Sequence, residues 1–237
     1  MMGPSACDEP GCGGPHRRPL DLGWFKHHLV EQILPNWLAH AVTEEGLFLP
    51  HLDRRWQRKP GKNYGTLVSQ SRLLYNFAQG YALTGEQAYL EAVRRGGGFL
   101  IEHFRDRKYG GWFWACSSDG RVVDTTKDSY GQAFAIFGLA HAWRATGDER
   151  FKTAALQTWQ ILRQRFTDGH GGLIRTMTRQ FEDRDCWRSQ NPVMHLFEAL
   201  LGLADLAGMS NMLTEANRVA GFVVGRLLRD GRVLPEL

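Results

Sequence analysis

The sequence predicts an all-α protein, an array of helical hairpins, and three observations carry that expectation. Thr84-Gly85, Thr146-Gly147 and Ala207-Gly208 each close an apolar helical pattern, with the glycines 62 and 61 residues apart. A period that long holds two helices and a loop. The loops recur as well: Tyr109-Gly110-Gly111, His170-Gly171-Gly172 and Asp230-Gly231-Arg232 follow the second helix of each unit at nearly the same interval. Finally, the two helices of a unit differ in character. The first is apolar on nearly every side, as a helix packed between neighbours must be, whereas the second carries one apolar stripe and a charged face. An inner and an outer layer of helices follow.

In chain order, residues 1–19 are rich in Gly, Pro and polar side chains and read as a disordered leader, with one helical domain over 20–237. Cys7, Cys12 and His16 do not make a structural metal site, which needs a fourth ligand and tighter spacing. A first helix over residues 22–41 shows Trp24, Phe25, Leu29, Ile33, Leu34, Trp37 and Leu38 at helical spacing, with a kink expected at Pro35. Irregular chain runs on to about residue 66, with a short extended segment at 46–50. Inner helices are expected over 69–83, 130–145 and 192–206, and outer helices over 87–104, 149–166 and 211–228. In the second outer helix Phe151, Ala154, Ala155, Thr158, Trp159 and Leu162 form the stripe, opposite Lys152, Gln160 and Arg163. Gly85, Gly147 and Gly208 stand where a left-handed residue stops a helix, and Asp148 and Ser210 are placed to cap the next one. Asn191-Pro192 opens the third inner helix as a capping side chain followed by proline.

Hydrophobic residues make up 43% and charged residues 23%, ordinary for a globular domain. No apolar run approaches the ~18 residues of a membrane span, and no segment has the order of a signal peptide. A cytoplasmic location is the expectation, and the sparse Cys7, Cys12, Cys116 and Cys186 agree with it. Net charge is +4, with basic residues spread over outer helix faces except for Arg54, Arg55, Arg58, Lys59 and Lys62 around Trp56. Without a nucleic-acid reading element beside it, that cluster reads as a solvated loop near a site mouth.

The repeat offset makes Arg72, Phe134 and His195 equivalent, and likewise Gln70 and Gln132, so candidate site residues gather at one end of the array. His195 and Glu198 lie three apart and project from one face of an apolar helix. Burying them requires a purpose or a partner, so an acid–base pair and a hydrogen-bonded core pair both remain open. Arg72 cannot shed its charge and must meet a carboxylate, carbonyls or a polar ligand. Trp112 and Trp114 beside Gly110 and Gly111 either stack on a sugar ring or pack beneath their loop. Lys127, Asp128, Tyr130 and Gln132 lead into the second inner helix, with Gln132 expected to face the lumen. Arg184, Asp185, Trp187, Arg188 and Gln190 crowd the approach to His195, and with Asn191 they suggest recognition of hydroxyls or, alternatively, an exposed loop. There is no P-loop, no nucleotide-binding glycine fingerprint, no zinc-type helical histidine pair and no nucleophile elbow.

The chain resembles the N-acylglucosamine 2-epimerase superfamily of sugar epimerases and aldose-ketose isomerases. The resemblance runs from about Trp24 onward. It rests on four segments: Ser69 to Tyr75, Tyr109 to Trp112, Lys127 to Phe134 and, most specifically, Asn191-Pro192-Val193-Met194-His195-Leu196-Phe197-Glu198-Ala199. It implies an (α/α)6 barrel binding a small-molecule sugar at one end of its lumen, with no cofactor, no metal, no nucleic acid and no membrane partner. By the same resemblance His195 matches a histidine that moves the proton at sugar C2, Glu198 its accompanying carboxylate, and Arg72 the arginine that holds the sugar oxygens. The reaction implied is ring opening, removal of the C2 proton and reprotonation of an enediol or enediolate at C1 or C2, with the arginine stabilising the developing oxyanion.

Two departures stand out. Several isomerases of the family have a histidine where this chain has Gln132, which cannot transfer protons in the same way. Six hairpins at this spacing need roughly 370 residues, and this sequence supplies a leading helix and three hairpins, the N-terminal part of such a barrel. The flank of the last hairpin is therefore expected to be exposed and to favour a homo-oligomer or a complementing C-terminal chain, with little turnover by the monomer. A glycoside or unsaturated-uronide hydrolase on the same fold and a helical-repeat interaction module are the alternatives.

Overall fold

The computed structural model describes residues 21–182 and 189–233. The expected leader at 1–19 lies outside the described residues. An outer helix comes first, split into α1 (Leu22–His28) and α2 (Leu34–Ala41) by a wide π-helical turn at Leu29–Ile33. The break stands where the sequence places its kink. Pro35 lacks the N–H that would continue the ladder, and it occupies the first turn of α2, where that loss costs least. Three hairpins follow, α3 (Leu67–Thr84) with α4 (Gln87–Phe99), α5 (Ser129–Thr146) with α6 (Glu149–Ile161), and α7 (Gln190–Ala207) with α8 (Ser210–Phe222).

The inner helices α3, α5 and α7 pack side by side, α5 in the middle, and each outer helix lies behind its own partner. No helix among the described residues is long and apolar enough to cross a membrane. The backbones of α3 and α5 come close at Gly138, where a Cβ would stand 2.7 Å from the Ser71 carbonyl oxygen. The same logic explains the first two of the three consecutive glycines of α4, each of which costs a helix interior about 0.5–1 kcal/mol, whereas a Cβ on Gly98 would meet nothing within 4 Å. A Cβ on Gly96 would collide with the Phe48 ring, and one on Gly97 with the Phe151 ring.

Every hairpin ends alike. Gly85, Gly147 and Gly208 close the inner helices at φ 74°, 71° and 60°. The outer helix of each hairpin ends in a widened π-turn (Leu100–Phe104, Leu162–Phe166, Val223–Leu227) that turns Phe104, Phe166 and Leu227 into the core. Asp148 caps α6 as expected, accepting from the Arg150 N–H at 3.0 Å. Two capping expectations fail. Met209 precedes α8 without a side-chain cap, leaving Ser210 as the first helical residue. Ser189 caps α7, its hydroxyl accepting from the Asn191 N–H at 3.3 Å, so Asn191 belongs to the first turn. Pro192 is still tolerated there, because the first turn leaves its N–H groups unbonded in any case.

Short strands tie the loops together where the inner helices begin. β1 (Tyr64–Thr66), β2 (Ala115–Ser117) and β3 (Val122–Asp124) form an antiparallel sheet in that order, and β4 (Lys127–Asp128) pairs with β5 (Thr176–Met177). β1 runs directly into α3 and β4 into α5, so this rim fixes where the first turn of each inner helix stands.

Candidate functional site

The repeat places Arg72, Phe134 and His195 at one level, and in the structure they touch. The Arg72 guanidinium carbon lies 4.5 Å from the Phe134 ring centre, and the Phe134 and His195 rings are 4.4 Å apart at 40°. One turn nearer the rim, Tyr130 joins them. Its hydroxyl accepts from Arg72 Nη2 at 2.9 Å, and its ring meets His195 edge-on at 5.2 Å. Arginine, two aromatic rings and an imidazole thus run in a row across three adjacent inner helices.

On α7, His195 Nδ1 lies 2.9 Å from Glu198 Oε2, with the imidazole 17% and the carboxylate 51% exposed. A carboxylate on one ring nitrogen sets the tautomer of the neutral ring, with the proton on Nδ1 and the lone pair on Nε2. The arrangement offers a fixed cation, an acid–base group and apolar ring faces at one height, which suits a polyhydroxy ligand that must be held and deprotonated.

Other expected ligand-binding side chains are committed elsewhere. Gln132 does not face the lumen. It is wholly buried against the Tyr109–Trp112 loop, its carbonyl accepting from Trp112 N (3.1 Å) and its amide donating to Trp112 O (3.0 Å). Gln70 does the same one repeat earlier, accepting from Phe48 N and donating to the Gly46 and Gly96 carbonyls. Trp112 is 2% exposed and donates through Nε1 to Thr158 Oγ1 at 2.7 Å, so its ring is a core element rather than a stacking face. Asp128 caps α5, its carboxylate accepting from the Gly131 N–H at 3.0 Å. Trp114 is half-buried with its ring against Gly131 at the start of α5, and Asn191 is exposed with its Oδ1 accepting from Gln190 Nε2. Arg188 lies outside the described residues.

Sequence reasoning singled out Lys127 but passed over the partners that make a charged cluster around it in the interior. Asp106 and Lys127, both with side chains fully buried, form an ion pair at 3.0 Å, and Arg179 Nε donates to the same carboxylate at 2.9 Å. Burial alone would raise the Asp106 pKa, but hydrogen bonds from Arg179, Lys127 and the Tyr109 backbone outweigh it and hold the carboxyl well below the usual carboxylate range. Burial lowers Lys127 to about 8 against the pull of Asp106. Its ammonium also donates to the Gly110 carbonyl and lies 4.7 Å from the Phe113 ring centre. These charges rivet the Asp106 loop, the entry to α5 and the Arg179 loop together beneath the rim. In the sequence, Asp106 sits in Arg105-Asp106-Arg107-Lys108, a run indistinguishable from a solvated loop.

A profile of the family described as N-acylglucosamine 2-epimerase (GlcNAc 2-epimerase) matches residues 46–234. A cellobiose 2-epimerase from Bacteroides fragilis is 31% identical over 161 residues, 67% of this chain and 41% of that protein. A D-mannose isomerase from Marinomonas mediterranea is 28% identical over 206 residues, 85% of this chain and 50% of its own length. Among solved structures, a D-mannose isomerase superposes with a TM-score of 0.83 at 24% identity, over 91% of this chain and 55% of that one. The chain therefore spans about half the length of the curated relatives it matches, and its inner and outer helices have the arrangement of part of that fold.

Proposed function

The chain belongs to the N-acylglucosamine 2-epimerase family, and from that premise we propose that it carries one wall of a site that moves a proton at C2 of a sugar. One observation carries the reading: Arg72, Phe134 and His195 meet at one level of three neighbouring inner helices, with Tyr130 one turn nearer the rim and Glu198 one turn deeper. His195, oriented by Glu198, is the acid–base group. Arg72 holds the C1 and C2 oxygens and stabilises the enediolate as charge develops. The Tyr130 hydroxyl fixes the guanidinium, and Trp114 and Asn191 stand at the rim where sugar hydroxyls would pass. The substrate class is an aldose or ketose such as mannose, an N-acylated hexosamine or a reducing disaccharide, and the reaction is epimerisation or aldose–ketose isomerisation.

Relatives in this family are about twice as long, so in this reading residues 20–237 are the N-terminal part of the barrel. The rest of the lumen comes from further chain, whether a continuation of this one, a complementing C-terminal chain or a second copy, and the site works in the cytoplasm. The test is incubation with mannose, fructose, glucose, N-acetylmannosamine and cellobiose in deuterated water, with proton NMR at C2. Exchange is expected with at least one of them, rising on assembly. It should fall about 10²–10⁴-fold in His195→Ala and about 10²–10³-fold in Arg72→Ala. Exchange that survives His195→Ala, or none with any of the five sugars, overturns the reading.

A further inference from the structure

The entry to α5 is gripped on both sides of Tyr130. Ahead of it, the Lys127 ammonium donates to Asp106 Oδ2 at 3.0 Å and to the Gly110 carbonyl at 2.8 Å. Beyond it, Gln132 bonds both backbone groups of Trp112. Asp106, Gly110 and Trp112 all belong to the loop after α4, so Lys127 and Gln132 hold one loop with Tyr130 between them. Tyr130 itself reaches the neighbouring inner helices instead. Its hydroxyl accepts from Arg72 Nη2 at 2.9 Å, and its ring meets His195 edge-on. Contacts to the loop thereby set where a contact in the lumen stands.

Strand pairing holds the entry from a second direction. Lys127 pairs with Met177 and Asp128 with Thr176, and Ser129 N donates to the Arg175 carbonyl at 2.8 Å. A ladder that short is marginal without further support. The charged groups around Lys127 come from three elements. The loop after α4 brings Asp106, Lys108 and Tyr109. The turn after β5 brings Arg179, whose Nε donates to Asp106 at 2.9 Å, and the end of the outer helix behind α5 brings Arg165. Phe181 lies between them: the Lys127 ammonium stands 5.6 Å and the Arg165 guanidinium 5.9 Å from its ring centre. Its left-handed φ of 66° is one that a bulky residue keeps only where its surroundings require it. Burial lowers Lys127 to about 8, with Arg179 adding to the fall and Asp106 opposing it. The charged grip is therefore complete below that value and is lost as pH rises through it.

We propose that Lys127 is a positioning residue for Arg72: its ammonium, held by Asp106 and Gly110, fixes the first turn of α5 so that Tyr130 presents its hydroxyl to the guanidinium. Among the described residues Arg72 has no other hydrogen-bond partner, so its orientation depends on where Tyr130 stands. The inference rests on reading Arg72 as the group that holds the sugar oxygens, but its test needs no turnover.

The experiment is NMR of the arginine side chains in the whole chain, titrated from about pH 6 to about pH 9.5, with the lysine ammonium followed in parallel. A guanidinium keeps its charge throughout that range, so a step in the Arg72 signals reports another group. The step is expected near pH 8, together with the titration of Lys127. Arg179→Gln should move it to higher pH, because a charge that holds Lys127 down is gone. Lys127→Met should abolish it and speed exchange of the Arg72 Nη protons about tenfold at pH 7. Tyr130→Phe, which leaves the charge cluster whole, should cost the same protection. A folded Lys127→Met protein whose Arg72 protons exchange as in the wild type overturns the proposal. So does a step that survives Lys127→Met, one that stays in place in Arg179→Gln, or an Arg72 signal that stays flat while Lys127 titrates. Unchanged protection in Tyr130→Phe is equally fatal, since Arg72 then does not depend on Tyr130. Should Lys127→Met fail to fold, the wild-type and Arg179→Gln titrations decide by themselves. Sugar exchange that survives His195→Ala would sink the reading of the site and leave this inference standing, because none of these signals requires a sugar.

Discussion

The second and third repeats treat the same loop differently. After α4, the Tyr109–Trp112 loop is clamped by Gln132, whose buried amide takes both backbone groups of Trp112, as Gln70 clamps the Gly46–Phe48 segment one unit earlier. After α6, the position equivalent to Gln132 is Val193, buried at 2% exposure. Among the described residues no hydrogen bond from α7 reaches the Thr167–Leu173 loop. Within the loop, Asp168 Oδ1 accepts from the N–H groups of His170 and Gly172, and Thr167 and Leu173 form a bridge. The clamp by an inner-helix amide thus serves the first two loops, while an apolar side chain stands at the equivalent position of the third inner helix. A buried amide that satisfies two backbone groups fixes a loop in one place, whereas an apolar contact lets it slide.

The charge rivet on the bonded side should show the largest effect. Asp106→Ala leaves the Lys127 ammonium buried without its carboxylate and should destabilise by about 3–5 kcal/mol, read from urea unfolding at pH 7. Replacing both partners by apolar residues should recover much of that loss. The sign of the pH dependence follows from the direction of the shift. A carboxyl held low in the folded state contributes stability that is fully present above the unfolded value of about 4 and is lost as pH falls through the folded one. Removing Asp106 should flatten the acid limb of the stability curve. An unchanged limb would mean that the rivet does not tie the loops.

Next in size, Gln132→Ala should cost about 2–4 kcal/mol, because two buried backbone groups of Trp112 lose their partner. Hydrogen exchange at the Trp112 amide should accelerate sharply while that at Leu173 stays as it was. If the Leu173 amide is better protected than Trp112 before any substitution, the contrast between the two loops is wrong. The smallest effects come as a pair of opposite sign. Gly138→Ala forces a methyl against the Ser71 backbone and should destabilise by about 1–3 kcal/mol. Gly202→Ala meets open space in a helix interior and should stabilise by about 0.5–1 kcal/mol. Thermal midpoints of the two variants moving in the same direction would show that the lumen wall of α7 is packed as tightly as the α3–α5 contact.

Much of this architecture is legible in the residues because repetition writes it several times over. Gly85, Gly147 and Gly208 mark the helix ends, and adding the repeat offset to Arg72 arrives at Phe134 and His195, which the structure brings into contact. The same arithmetic links Gln79 to His141 and Gln70 to Gln132. What it does not say is which side of the inner helix a given polar residue faces. Gln132 and Arg72 look alike as polar residues on apolar helices. One turns to a loop and the other lies exposed against Tyr130 and Phe134 of the next inner helix, a difference set by where the backbone of the Tyr109–Trp112 loop lies. Trp112 failed as a ligand-stacking candidate for a related reason: Thr158, on the neighbouring outer helix, waits at 2.7 Å to satisfy its indole N–H.

Periodicity and composition alone determined the all-helical hairpin array, its inner and outer layers, the helix stops and the level at which Arg72 and His195 stand, because these depend on local backbone preference and on spacing within one helix. Tertiary structure decided the partnerships: Asp106 with Lys127 and Arg179, Gln132 with Trp112, Arg72 with Tyr130. Each joins residues far apart in the chain, and no local propensity encodes which distant group will lie within 3 Å once the hairpins have packed.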